Sequence, residues 1–214
     1  MSRLGIIYLG SAQQHFVLQD PTYGRHIDER IYLPDLATAP LDHLDGLIVP
    51  CRVHQELLYA SAARVRSVLD RGGTVVLFGE QPQEWLPGLN WEHRPTNFWW
   101  WREGGKSGLV AAMPEHSLFD YMSLEDATWH YHGVFTPPAG AERIIEIEDG
   151  GTILYVDRVS TPGTLIVTSL DPIFHVGSNF MPAAARFLER FLPWLRERML
   201  PTSGAGVAEQ AASR

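Results

Sequence analysis

Four side chains that can hold or move a proton, Glu80, His132, Asp171 and His175, stand near places where apolar runs give out. Glu80 follows Thr74-Val-Val-Leu-Phe78 and Gly79. Asp171 ends Gly163-Thr-Leu-Ile-Val-Thr-Ser-Leu-Asp171, and Pro172-Ile-Phe-His175 comes directly after it. Two carboxylates and two imidazoles form an acid–base set, or a ligand set compatible with a divalent metal. Spacing alone names no metal site, because no His-x-x-x-His pair occurs, and no resident cofactor is expected. The competing role is structural: Asp171 would cap the loop before Pro172, while His130 and His132 would pack as polar-tipped aromatics.

Four further patches carry chemically interesting residues. Cys51 lies between a strand and a helix with His54 three residues on, so a helix dipole and an imidazole could activate its thiolate. A lone cysteine also serves as core filler. Gly10 and Ser11 follow the first strand, where flavodoxin-like folds hold phosphate on backbone N–H groups; an ordinary turn reads the same way. Gly104-Gly-Lys-Ser107 mimics the tail of a phosphate-binding loop, but Trp100 occupies the place of the required glycine, which excludes that motif. Phe98-Trp99-Trp100-Trp101 offers large rings with polar handles. Trp99 and Trp101 fall on one face of an extended segment, suited to a sugar, a protein contact or a local core.

These residues need elements to place them, and the N-terminal half supplies strand and helix in alternation. Leu4–Leu9, a piece around Glu29–Leu33, Gly46–Val49 and Thr74–Phe78 read as strands. Leu58, Ala62, Val65 and Leu69 predict one helix over His54–Arg71, ended by Gly72-Gly73. Residues 81–107 hold three prolines and five of the seven tryptophans, which suits an insertion or a pair of edge strands rather than a crossover. Ala141–Ile147 and Thr152–Asp157 flank Glu148-Asp-Gly-Gly151, a hairpin signal, and Thr164–Ser169 extends that meander. A last helix starts near Met181-Pro182 and should kink at Pro193. The expected fold is α/β: a flavodoxin-like three-layer sandwich with a mainly parallel central sheet and an antiparallel hairpin extension. It forms a single domain over residues 1–200, with a disordered tail over 201–214.

Composition excludes several classes of partner. With 214 residues and 45% hydrophobic content, the chain can bury a sizeable core. A net charge of −8 argues against nucleic acid and anionic membrane surfaces, which need clustered Lys and Arg. No apolar stretch approaches the roughly 20 residues of a membrane span, and the start lacks a signal-peptide pattern. One cysteine rules out an internal disulfide framework. A cytoplasmic location is expected.

Taken in order, four segments resemble the class I glutamine amidotransferase-like superfamily, in particular its ThuA-like and β-galactosidase-trimerisation-like branches. They are Leu44-Asp-Gly-Leu-Ile-Val-Pro50, Val68-Leu-Asp-Arg-Gly-Gly-Thr-Val-Val-Leu-Phe78, Glu115-His-Ser-Leu-Phe119 with Trp129-His-Tyr-His132, and Gly163–His175. The resemblance implies a nucleophilic Cys on the turn after Thr74–Phe78. Here that turn reads Leu77-Phe-Gly-Glu-Gln81, and the family's late His-x-Glu is replaced by His175-Val-Gly. Glutaminase chemistry needs a thiolate, so it is not expected.

Two functions from different classes follow. The first is a pseudoenzyme: a non-glutaminase binding or scaffold subunit for a small polar metabolite or a protein partner. It would self-associate as a homo-oligomer through its aromatic edge. The alternative is a ThuA-like enzyme of carbohydrate metabolism, a hydrolase or sugar-modifying catalyst using Glu80, His132, Asp171 and His175. A nucleotide module built on Gly10 and Ser11 ranks third.

Overall fold

The computed structural model describes residues 2–96, 100 and 102–201. Short apolar runs form β1 (Leu4–Tyr8), β3 (Gly46–Val49) and β4 (Thr74–Phe78), and the more polar Glu29–Tyr32 forms β2. Two edge strands follow, β5 (Trp91–His93) and β6 (Leu109–Ala111). Then come β7 (Gly133–Phe135), the hairpin β8 (Glu142–Ile147) and β9 (Thr152–Asp157), and finally β10 (Thr164–Thr168). All ten join one sheet with the path β2-β1-β3-β4-β10-β9-β7-β5, while β8 pairs with β9 and β6. The first five strands of that path run parallel, in the doubly wound order that places a switch point beside β1. From β9 onward every pairing is antiparallel. The sequence-based fold class is therefore the observed one: an α/β sandwich with an antiparallel extension.

Alternation along the central strands sends side chains into two cores. Val76 and Phe78 point to the layer of α1 (Ala12–Gln19), α2 (Pro21–Gly24), α5 (Pro172–Gly177) and α6 (Pro182–Trp194). Val75 and Leu77 point to the opposite layer, which contains α3 (Gln55–Ala60) and α4 (Ala62–Asp70). Each such fully buried side chain contributes about 1.5–3 kcal/mol relative to exposure.

One expected helix is two. The run from His54 to Arg71 breaks at Ser61, which is buried and lies at φ −103°, ψ 12° between α3 and α4. Serine hydrogen-bonds locally and is a poor helix interior, so the break falls there. After Pro193 the last helix widens into a π-turn over Leu195–Met199. Arg196 on that turn donates to Asp28 Oδ2 at 2.8 Å and to the Ser2 carbonyl at 2.9 Å. Ser2 Oγ donates to the Pro201 carbonyl at 2.7 Å, so the two ends of the described chain touch. No described helix is long and apolar enough to cross a membrane.

Candidate functional site at the strand ends

Because β3, β4 and β10 are parallel, the segments that follow them emerge along one edge of the sheet. Past β4 the chain turns at Gly79, whose φ of +82° suits glycine. Its N–H donates to the carbonyls of Thr168 and Leu170, both at 2.9 Å, which ties the turn to the end of β10. A Cβ here would sit 2.5 Å from Cys51 Cβ. Glycine thus lets the turn after β3 close against the turn after β4. Past β10, Ser169 and Asp171 precede Pro172, which starts α5, and the helix presents His175 one turn further on.

Asp171 does not spend its carboxylate on capping that helix. Its Oδ1 lies 2.9 Å from His175 Nε2, and its Oδ2 lies 3.8 Å from Arg52 Nε. Arg52 is itself unusual, with φ +57° and its guanidinium 3.9 Å from the centre of the Phe174 ring. His130 completes the group. Its ring meets that of His175 edge-on, with centroids 4.7 Å apart and an interplanar angle of 84°. His130, Asp171 and His175 are only 9%, 4% and 3% exposed, and one donor atom from each falls within 4.8 Å of the others. Burial first, and then the neighbouring His175, push the His130 pKa down to about 4, so its imidazole is neutral at pH 7.

Hydrogen bonding leaves this group incomplete. The 2.9 Å approach of Asp171 to His175 lacks hydrogen-bond angles. Among the described residues, both His175 ring nitrogens and Ser169 Oγ are buried without a hydrogen-bond partner. Such groups cost about 1–3 kcal/mol each when left unmade, so native proteins rarely keep them.

Above this floor, Glu80 Oε1 stands 3.8 Å from His132 Nδ1, and the His132 and His130 rings are 5.3 Å apart. Glu80, His132, Asp171, Cys51 and Arg52 line a cavity of about 80 Å³. His130 also borders a second cleft of about 350 Å³ with Trp100, Lys106 and Asp149. His175 borders a third, of about 290 Å³, beside Phe16 and Phe180. A further cavity, about 620 Å³ around Gly88 and Trp91, contains none of these groups. Burial, and secondarily Asp171, raise the Cys51 thiol pKa far above its ordinary value, so the protonated thiol is inert at neutral pH.

Of the four residues singled out as catalytic candidates, Glu80, His132 and Asp171 line one small cavity and His175 borders the third cleft, and they form two contacts: Asp171 with His175, and Glu80 with His132. His130, first weighed as a packed aromatic, lies between them. Its signal was the His130-x-His132 alternation, which a loop segment could have pointed either way. Ser169 and Arg52 were legible only as residues following strands. Gly10 has φ +88°, and Ser11 caps α1 by accepting from the Gln14 N–H at 3.2 Å. The nearby Leu9 N–H donates to Gln14 Oε1 at 2.8 Å. Trp99 and Trp101 lie outside the described residues, as does the tail from residue 202.

No protein-family model and no curated protein matches the sequence. Solved structures do share its fold. The cytoplasmic protein STM3548 from Salmonella typhimurium superposes with a TM-score of 0.58 at 10% identity, over 91% of this chain and 98% of that one. The cytoplasmic protein STM1381 from Salmonella typhimurium LT2 gives 0.53 at 11% identity, over 90% and 98%. The exo-β-1,4-mannosidase Op5Man5 from Opitutaceae bacterium strain TAV5 gives 0.53 at 10% identity, over 94% of this chain but 37% of the mannosidase. At such identities the likeness concerns the fold alone.

Proposed function

We propose that the crevice at the ends of β3, β4 and β10 is the active site of an enzyme acting on a sugar or related polar metabolite. In this reading the chain is a non-glutaminase relative of the class I glutamine amidotransferase-like fold. One observation carries it: Asp171, His175 and His130 converge in burial at the strand ends, while both His175 ring nitrogens and Ser169 Oγ keep no hydrogen-bond partner among the described residues. A group of this kind is an expensive way to fill a core, and perturbed titratable groups in a cleft mark functional sites. The half-exposed Glu80 and the neighbouring His132 form the proton-transferring pair at the rim, within reach of a substrate entering from solvent. Asp171 orients the floor, and Arg52 offers positive charge to an anionic or polar group. With its thiol held protonated, Cys51 has no part in bond making.

The test is a panel of sugars and sugar acids followed by proton NMR for binding and for product. The expected result is a ligand whose conversion falls about 100-fold or more in His132→Ala and Asp171→Asn, while Cys51→Ala stays near wild type. A ligand handled equally well by all three variants would move the site elsewhere. The scaffold reading keeps one observation in its favour, since β5 ends the sheet path with no further strand paired to it among the described residues. Stable dimers in sedimentation, broken by a charged substitution on β5, would support it.

A further inference from the structure

We propose that His130, Asp171 and His175 bind one first-row divalent transition metal ion of the zinc class. The inference uses residues of the proposed active site, but metal binding requires no substrate and is tested apart from catalysis.

The donor set fits. Two imidazoles with one carboxylate suit zinc, cobalt or iron, whereas magnesium and calcium demand oxygen ligands. All three side chains are buried, and one donor atom of each lies within 4.8 Å of the others. A tetrahedral zinc holds its donors about 3.3 Å apart. Ring rotations on the order of an ångström therefore close the set on an ion. The His175 Nε2 to Asp171 Oδ1 separation of 2.9 Å is already in that range.

A second observation points the same way. His175 is 3% exposed, and both of its ring nitrogens lack a hydrogen-bond partner among the described residues. Its contact with Asp171 has the distance of a bond without the direction of one. That is the arrangement expected of two ligands aimed at a common third atom. Ser169 Oγ, also buried without a partner, lines the cavity beside Asp171. That cavity, about 80 Å³, has room for a water beside Asp171.

Local construction brings the ligands together. Asp171 and His175 are fixed four residues apart by α5, which Gly177 lets lie against α1: a Cβ there would come within 2.4 Å of the Gln13 backbone. His130 enters from the segment before β7, with Trp129 edge-on to both His175 and Phe187.

The experiment uses the full chain after exhaustive chelation. Cobalt(II) is titrated in and followed by its visible absorption, then displaced with zinc, with magnesium and calcium as controls. The expected result is saturation at one ion per chain, displacement by zinc and indifference to magnesium and calcium. His175→Gln and Asp171→Asn should weaken binding by about 100-fold or more, beyond the loss typical of an outer-shell change. Should those variants fail to fold, wild-type protein still decides. Zinc should then shift the ring-nitrogen resonances of His130 and His175 and leave those of His26 and His43 in place. Absence of saturable binding, equal binding by magnesium, or shifts confined to other histidines would overturn the inference. Metal binding without any turnover would support it while counting against the proposed function. Turnover in chelated protein that takes up no metal would do the reverse.

Discussion

At the scale of single residues, Gly79 controls how closely the site is assembled. Its backbone is in the left-handed region, and the space a side chain would need is held by Cys51. Gly79→Ala should cost about 2–4 kcal/mol in urea unfolding, combining strain with overlap. Gly150→Ala is the matched control: its φ is +88°, but nothing lies within 4 Å of the position, so strain alone should cost about 1 kcal/mol. Equal losses in the two variants would show that Cys51 yields easily. Asp171 and His175 were legible in the sequence because a buried strand announces where it ends, and parallel topology makes that end a crevice. Glu80 was legible for the same reason. His130 was not, since it sits in a segment before β7 whose path is set by long-range packing on Trp129 and Phe187.

At the scale of elements, α6 is held to the short turn Leu124–Ala127 by Asp126. Asp126 accepts from the Ser123 N–H at 3.0 Å, from Arg186 Nε at 2.9 Å and from the Arg190 guanidinium. Burial works to raise its pKa, but the bonds from Ser123 and Arg186, helped by Arg190, outweigh it and hold the carboxyl below the usual range. A depressed folded-state pKa means that the unfolded chain binds more protons through that window. The stabilisation is therefore complete well above the unfolded value of about 3.9 and fades as pH falls through the folded one. Asp126→Asn should lose about 1–3 kcal/mol at pH 7, nearer the lower figure because both arginines are partly solvated. Urea unfolding at several pH values should show wild type and variant converging in acid. A gap that persists unchanged there would place the effect in packing rather than charge. Periodicity found α6 and, in the opposite layer, the run from His54 to Arg71, but it hid the break between α3 and α4. Leu58 and Val65 keep a seven-residue, two-turn spacing across Ser61, so the apolar pattern carries no mark of the interruption.

At the scale of the whole molecule, a mainly parallel sheet could be read from alternating strands and helices, whereas the reversal that seats β3 beside β1 rather than β2 left no local mark. That β10 would sit beside β4, after five intervening strands, could not be read either: the pairing of Thr164–Thr168 with Thr74–Phe78 spans ninety positions and leaves no local trace. The meander instead showed itself through its turn, Asp149-Gly-Gly151, which joins β8 to β9. The contact between Ser2 and Pro201 gives this topology a further property: the described chain is close to a ring, so its order of assembly is a choice of where the ring is cut. With Arg214 joined to Met1, new ends could be opened at Gly150-Gly151, in the turn between β8 and β9. Such a circular permutant should keep the native near-ultraviolet dichroism and unfold cooperatively, since it severs one hairpin turn and no part of the parallel sheet. Its new termini would flank Asp149, which borders the same cleft as His130, so a label attached there would report on what enters that cleft.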